Sequence, residues 1–401
     1  MKKESEAKIP RWVRVNTLRS SLSSVLATLT EYSPVKSIAE LSGKVYYKDP
    51  IVENLLAFPP ATDFTAHSLY LSGALILQDR SSCLPAHLLG PPPGAWVIDA
   101  TAAPGNKTTH LAALLQGGGS VIAFEKDTRR AEVLKKMVRR AGGDEVITIH
   151  GGEDFLKANP QEEPLRRVSH LLLDPSCSGS GIVSRSEYSL ISLSPPAAPS
   201  RKKRKRGAKP APTKPVVIND AEEEEAEEIK AETATSRLHA LSEFQKSMIL
   251  HAMRFPSAQK ISYSTCSIHA EENEHVVTSV LASKIAKRRG WRAERRTDGT
   301  LREWTRRGIP EYCGGDEEVA EACVRCNPIE DGGIGFFVVA FVRDGSVDED
   351  EKETEHVMVE QKQEQEEEWT GFSDDNGEIT IEPNVETKKK RQKKKQKQKQ
   401  K

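Results

Sequence analysis

Two cysteines of this chain stand in polar loops that follow short apolar runs. Leu171-Leu172-Leu173 leads into Asp174-Pro175-Ser176-Cys177-Ser178-Gly179-Ser180-Gly181, and Lys260-Ile261-Ser262 leads into Tyr263-Ser264-Thr265-Cys266-Ser267. A thiolate is a strong nucleophile when nearby positive charge or amide dipoles stabilise it. Two such thiols beside one carboxylate suit alkylation of carbon 5 of a cytosine. That carbon is a poor nucleophile until a thiolate adds to carbon 6 and makes the ring enamine-like. Carbon 5 can then attack a methyl sulfonium, and a base must remove its proton before the thiolate leaves. Asp174 can hydrogen-bond the ring edge and favour protonation at nitrogen 3. A cysteine at a strand end is more often a small buried hydrophobe. The Gly- and Ser-rich surroundings of Cys177 and Cys266 set these two apart. Cys83, after Ser81-Ser82, reads as packing. Cys323-Val324-Arg325-Cys326 has a metal-like spacing but lacks two further ligands, so no metal site is expected.

Groups so far apart in the chain need a scaffold that brings strand ends side by side. Apolar runs at 95–99, 121–125, 146–150, 171–174, 260–264 and 336–342 predict six strands. Helical patterns cover 107–115, 129–141, 241–254 and 271–287. Strands alternating with helices at this spacing predict a parallel, doubly wound sheet. Ligands bind such sheets beyond the carboxyl ends of the strands, where both cysteine loops fall.

The first of these strands ends in Asp99-Ala100-Thr101-Ala102-Ala103-Pro104-Gly105-Asn106-Lys107-Thr108. Small residues let the backbone approach a ligand, and the helix that follows offers free amide donors. The phosphate-loop spacing fails, because Asn106 separates Gly105 from Lys107 and no glycine stands five residues before Gly105. The dinucleotide fingerprint is absent as well. Glu125, at the end of the second strand, can accept both hydroxyls of a ribose. Asp154, after the third, could face an adenine amino group. The loop by itself does not separate a sulfonium nucleoside from a nicotinamide; the two cysteines favour the sulfonium.

The formal net charge of +0 conceals segregation. Six basic residues fill 201–206, six glutamates lie within 222–228, and ten basic residues with no acid occupy 388–401. Residues 186–235 and 344–401 are low in complexity and are expected to be disordered, as are residues 1–9. A small mixed module is expected at 10–65, with strands at 12–15 and 44–47 and an amphipathic helix at 22–29. The domain carrying the loops is expected at 66–343. No apolar run approaches the ~18 residues of a membrane span, and the charged start is unlike a secretory signal.

These segments resemble the motifs of the Sun-type RNA cytosine-5 methyltransferases. Pro10-Arg11-Trp12-Val13-Arg14-Val15-Asn16-Thr17 and Leu77-Gln78-Asp79-Arg80-Ser81-Ser82 look like that family's N-terminal signatures. The likeness runs from Pro10 to Val342 outside the low-complexity insert. It implies a Rossmann-like class I methyltransferase, α/β with a doubly wound, mostly parallel sheet, preceded by a small RNA-recognition-like module. It implies S-adenosyl-L-methionine as cofactor, Cys266 as nucleophile and Cys177 as the residue that assists product release. Asp174 and Lys107 join them as catalytic groups. Thr101, Ala102, Ala103, Pro104, Gly105, Asn106, Lys107, Glu125, Arg130, Asp154 and Asp174 become the cofactor contacts. Thr101 replaces a cysteine common in the family, and Asn106 a glycine. Asn106 and the Ser-Gly-Ser-Gly after Cys177 are most similar to the eukaryotic large-subunit ribosomal RNA branch. An N-terminal helical region of some relatives is not seen before Pro10.

The partner so implied is RNA, with Arg11, Arg14, Arg19 and Lys107 as candidate phosphate contacts on the folded part. The basic runs suit a nuclear or nucleolar location. A monomer that does not bind membranes is expected. Two alternatives stand beside this reading: the same chemistry on transfer RNA or DNA, and a non-catalytic ribosome-assembly factor that keeps the fold.

Overall fold

Residues 9–182, 220–296, 300–328 and 330–343 are described in this computed structural model, with backbone alone at 220–234. The basic runs at 201–206 and 388–401 lie outside them. A first sheet forms from β1 (Arg11–Val15), β2 (Ser33–Val35), β3 (Val45–Lys48), β4 (Leu55–Phe58) and β5 (Leu75–Leu77), in the order β2-β3-β4-β1-β5. Helix α1 (Leu22–Thr28) is capped by the Ser21 side chain. It buries Val25 against Val13, Val15, Phe58, Phe64 and Leu75. A four-residue helix α2 (Ser68–Leu71) precedes β5. The sheet therefore extends past the boundary expected at residue 65. Leu75–Leu77 is too short to read as a strand by itself; it becomes one because Val13, Arg14 and Val15 offer it an edge. Leu55–Phe58 was equally illegible, since all four positions are buried and show no alternation.

The second sheet begins after α3 (Arg80–Leu89), which is capped at Asp79. Its elements are β6 (Trp96–Asp99), α4 (Asn106–Leu114), β7 (Ser120–Glu125), α5 (Thr128–Ala141), β8 (Ile147–Gly151), β9 (His170–Leu173), α6 (Asp220–Ala252), β10 (Lys260–Thr265), α7 (Glu274–Ala282), α8 (Lys284–Arg288), β11 (Arg292–Ala293), α9 (Glu317–Ala322), β12 (Val324–Cys326) and β13 (Phe336–Val342). The strand order is β11-β13-β10-β9-β6-β7-β8, with β12 paired to β13. Strands β8, β7, β6, β9 and β10 are parallel to their neighbours, and β13 is antiparallel to β10. All six strands expected from the apolar runs are present.

Two helices differ from expectation. Helix α6 starts at Asp220, inside the stretch expected to lack structure, because its Ala/Glu-rich beginning has high helix propensity. The pattern at 271–287 is divided. Ser283 turns extended (φ −64°, ψ 152°), and its hydroxyl caps α8 through the Ala286 amide.

The chain winds outward from β6 to β8 and then returns to place β9 on the other side of β6. That reversal opens a crevice at the carboxyl ends of β6 and β9. The first sheet is tied to this crevice. Buried Arg14 reaches Gln78 Oε1 (2.8 Å) and Thr109 Oγ1 of α4 (3.0 Å). Arg80 pairs with buried Asp49 at 2.6 Å and lies 5.5 Å from the Trp12 ring and 4.6 Å from that of Trp304. Trp12 Nε1 donates to the Gly332 carbonyl at 2.6 Å.

Candidate active site

The turn after β6 is built on Asp99. This buried carboxylate accepts the Thr108 hydroxyl (2.7 Å) and the Thr101 amide (3.3 Å). Burial pushes it up to about 6, against those two hydrogen bonds. Gly105 adopts φ 110°, and a Cβ there would lie 2.9 Å from Met137. The turn is thus packed onto α5 by a residue without a side chain. Glu125 is almost wholly buried at the tip of β7. It accepts the amides of Ala103 (3.2 Å) and Asp127 (3.0 Å) and lies 3.6 Å from Arg130, whose guanidinium also reaches the Ala103 carbonyl (2.8 Å). Asp154 caps the short turn after β8 through the Leu156 amide (3.0 Å) and pairs with Lys126 (3.1 Å).

The turn after β9 lies alongside. The Asp174 amide donates to Thr101 Oγ1 at 3.1 Å, so the threonine that replaces a cysteine bridges two strand ends. Asp174 Oδ2 pairs with Lys107 at 2.8 Å, and Oδ1 accepts the Ser264 hydroxyl at 2.6 Å. Burial opposes the charge of Lys107, but the Asp174 carboxylate more than offsets it and holds the ammonium above the ordinary lysine value. The site is completed by the two thiols. Cys177 Sγ and Cys266 Sγ are 3.1 Å apart, and both residues are partly open to solvent. At this distance either thiol can donate to the other. Hydrogen bonding from Cys266, aided by backbone donors at Gly179 and Cys266, lowers Cys177 despite its burial. The contact with Cys177 and burial raise Cys266; Asp174 adds to the rise and Lys107 works against it. A pair poised in this way can pass one proton between a nucleophile and a base.

Residues 86–195 match the family described as 16S rRNA methyltransferase RsmB/F, and residues 9–78 match the ferredoxin-like domain of NOL1/NOP2/Sun domain family member 5. The 26S rRNA (cytosine-C(5))-methyltransferase nsun-5 of Caenorhabditis elegans is 32% identical over 347 residues, which cover 84% of this chain and 68% of that protein. The chain belongs to the Sun family of RNA cytosine-5 methyltransferases.

Two further Sun-family relatives are the 25S rRNA (cytosine-C(5))-methyltransferase rcm1 of Schizosaccharomyces pombe, 40% identical over 82% of this chain, and the 28S rRNA (cytosine-C(5))-methyltransferase of Mus musculus, 36% identical over 84%. The chain spans 62% and 63% of their lengths. Among solved structures, a methyltransferase homolog from Pyrococcus horikoshii matches with a TM-score of 0.57 and 20% identity, covering 84% of this chain and 87% of that one. NSun6 from the same organism, crystallised with SFG, matches at 0.53 and 18% over 84% and 91%. At these identities the two structures establish the shared fold.

Three buried residues of this Sun-family site were not singled out from sequence. Glu272 ends the 3-10 turn Ala270–Glu272, Asn273 caps α7 and Glu274 opens it, and each is 0% exposed. Glu272 holds the Cys177 loop through Ser178. Asn273 Oδ1 accepts the Thr265 hydroxyl (2.5 Å), and its Nδ2 donates to the Ser267 carbonyl (3.0 Å), which pins both sides of Cys266. Glu274 takes both arms of Arg325 at 2.6 and 2.5 Å. The signal was available: three adjacent polar residues where an apolar helix begins. Cys323 and Cys326 bracket Arg325 and are buried, as are Cys313 and Cys83.

One RNA-contact expectation is overturned. Arg14 is 1% exposed and is consumed in the junction with α4, so it cannot meet a phosphate. Lys107 faces Asp174. Arg11 is half-buried against the Thr62 carbonyl (3.1 Å), and Arg19 stays exposed.

Proposed function

We propose that this chain methylates carbon 5 of a cytosine in large-subunit ribosomal RNA, with S-adenosyl-L-methionine as methyl donor. The observation that carries the reading is the 3.1 Å contact between Cys177 and Cys266, beside the Asp174–Lys107 pair. The donor set fits the cofactor. Glu125 is a buried carboxylate at a strand tip, suited to a ribose diol, and Asp154 stands one strand further along. When bound, the cofactor supplies an electrophilic methyl sulfonium.

The rest is done by the chain's own residues. The ionised Cys177 takes the Cys266 proton and later releases it to solvent, and the Cys266 sulfur bonds to carbon 6. Asp174, oriented by Lys107 and Ser264, hydrogen-bonds the pyrimidine edge and favours proton uptake at nitrogen 3. After methylation the carbon 5 proton goes to the Cys177 thiolate, nitrogen 3 returns its proton to water, the bond between carbon 6 and sulfur breaks, and Cys266 departs as thiolate. Cys177 assists this release. The proposed division is an RNA-contacting module at 9–78 and a catalytic domain at 79–343, acting as a monomer. Relatives named for 25S, 26S and 28S ribosomal RNA support the large subunit as target and the nucleolus as location.

The test uses the purified chain, labelled S-adenosylmethionine and ribosomal or transfer RNA. Cys266→Ala should abolish transfer while RNA is still retained on a filter. Cys177→Ala should leave a covalent RNA–protein band on a denaturing gel. Methylation by the first variant, or ordinary product release by the second, would overturn these roles. Labelling of transfer RNA alone would overturn the substrate.

A further inference from the structure

Cys177 does not reach Cys266 unaided; the residues on either side of it are anchored to a buried carboxylate and to the carboxamide hydrogen-bonded to it. Glu272 Oε1 accepts the Ser178 amide at 2.8 Å and Gln245 Nε2 at 3.1 Å. Its Oε2 accepts the Ser178 hydroxyl at 2.6 Å. The same Gln245 amide donates to the Ser176 carbonyl at 3.1 Å. Residues 176 and 178 are thus fastened from below by one carboxylate and one carboxamide, with the thiol between them turned toward Cys266. On the opposite side, the Tyr263 hydroxyl donates to the Glu272 carbonyl at 2.6 Å, tying the same residue to β10 and hence to the Cys266 loop.

All three donors to the carboxylate are neutral. A carboxylate without exposed surface, held only by neutral donors, is costly, and a glutamine of the same shape would pack equally well. Its charge is what distinguishes it, and that charge lies close to the thiol.

We infer that Glu272 is a positioning residue for Cys177: it sets the distance between the two sulfurs and supplies a fixed negative charge beside the one that assists release. The inference rests on the reading of Cys177 and Cys266 given above. Glu272 works against the acidity that the Cys266 contact confers on Cys177. It therefore keeps the release thiol protonated to higher pH than the surrounding amides alone would. It also leaves the thiol a better proton acceptor once ionised.

The two thiols can be read separately, because trypsin releases them in different peptides, Val168–Arg185 and Ile261–Lys284. The protein is alkylated with iodoacetamide across a pH series, and each peptide is quantified by mass spectrometry. Glu272→Gln should move the Cys177 midpoint to lower pH by about half a unit or more without accelerating Cys266. With RNA and S-adenosylmethionine, the same variant should transfer its first methyl group within about threefold of the parent rate. Its multiple-turnover rate should fall ~10-fold as the covalent adduct accumulates. An unmoved Cys177 profile, equal changes in both peptides, or ordinary turnover would each overturn the assignment. If Glu272→Gln does not fold, Ser178→Ala removes one arm of the clamp, and adduct accumulation is read in the same way; its absence overturns the positioning role. Alkylation needs no RNA. A parent protein that transfers no methyl group would sink the proposed function while leaving Glu272 to be judged on its own.

Discussion

In the proposed chemistry two sulfurs 3.1 Å apart exchange a proton. Each of the other thiols is buried, and burial, aided by Asp79 and Asp49 against Arg14 and Lys107, pushes Cys83 up to about 12, so it takes no part in thiolate chemistry at neutral pH. This contrast yields a prediction that requires no substrate. Diamide, which takes up two hydrogen atoms as a disulfide forms, should join Cys177 to Cys266 and spare Cys83 and Cys326. Cys313 and Cys323 also hydrogen-bond to each other, but both are buried. Mass spectrometry should find the Cys177 and Cys266 tryptic peptides linked, and dithiothreitol should separate them and restore methyl transfer. No link between Cys177 and Cys266, or a link from either to another cysteine, would contradict the geometry. Residue types and spacing made this part of the site readable in advance: Cys177, Cys266, Asp174, Lys107 and Thr101 do converge. Glu272 and Asn273 escaped notice because a buried acid and a surface acid look alike in a sequence.

Two loops, from β9 and β10, must be locked together for the thiols to meet, and glycine does the locking. The Gly181 amide donates to the Cys266 carbonyl (2.9 Å), and the Gly335 amide to the Gly181 carbonyl (2.9 Å). A Cβ at Gly181 would lie 2.2 Å from the Gly335 carbonyl oxygen and 3.0 Å from that of Cys266. These are backbone atoms, which cannot swing aside. Gly181→Ala should therefore destabilise the fold by ~2 kcal/mol and separate the two thiols. The checks are a lower urea midpoint and the loss of the diamide crosslink, whereas Gly94→Ala, strained by its φ of 87° but meeting nothing within 4 Å, should lower the urea midpoint and keep the crosslink. Strands β6 to β10 and β13 were foreseeable from their apolar runs. Strands β2, β4 and β5 were not: β2 and β5 have three residues each, and β4 is buried at every position with no alternation.

Over the whole molecule, acid stability depends on histidines buried without charge. His251 of α6 meets the Phe155 ring edge-on at 4.9 Å and the Phe255 ring at 5.8 Å. Burial lowers it from 6.5 to about 4, and nearby Arg254 adds to the fall. His170 is lowered to about 4 mainly by burial. Above pH 6.5 neither the folded nor the unfolded chain protonates these rings, so stability is intact. As pH falls from 6.5 toward 4, only the unfolded chain takes up the protons, and folding is progressively disfavoured. His251→Phe removes one such group in an aromatic setting that accepts the ring. Between pH 7 and 4.5 its unfolding free energy should decline ~2 kcal/mol less than that of the parent. Urea titrations at both pH values check this, and parallel declines would refute it.

The sequence by itself determined the family, the alternation of strand and helix, and which loops carry reactive groups. These are written in local residue types: glycines and prolines at turns, apolar runs, two cysteines in polar company. Only the tertiary structure decided which groups face one another. Arg14 carries the charge of an RNA contact, yet the packing of the first sheet on α4 buries it and spends its donors on Gln78 and Thr109. Cys177 and Cys266 lie 89 positions apart, and their contact follows from the parallel pairing of β9 with β10. Composition sets which side chains are able to react. Burial and the distance between strand ends set which of them do, and those quantities come into being only when the chain closes on itself.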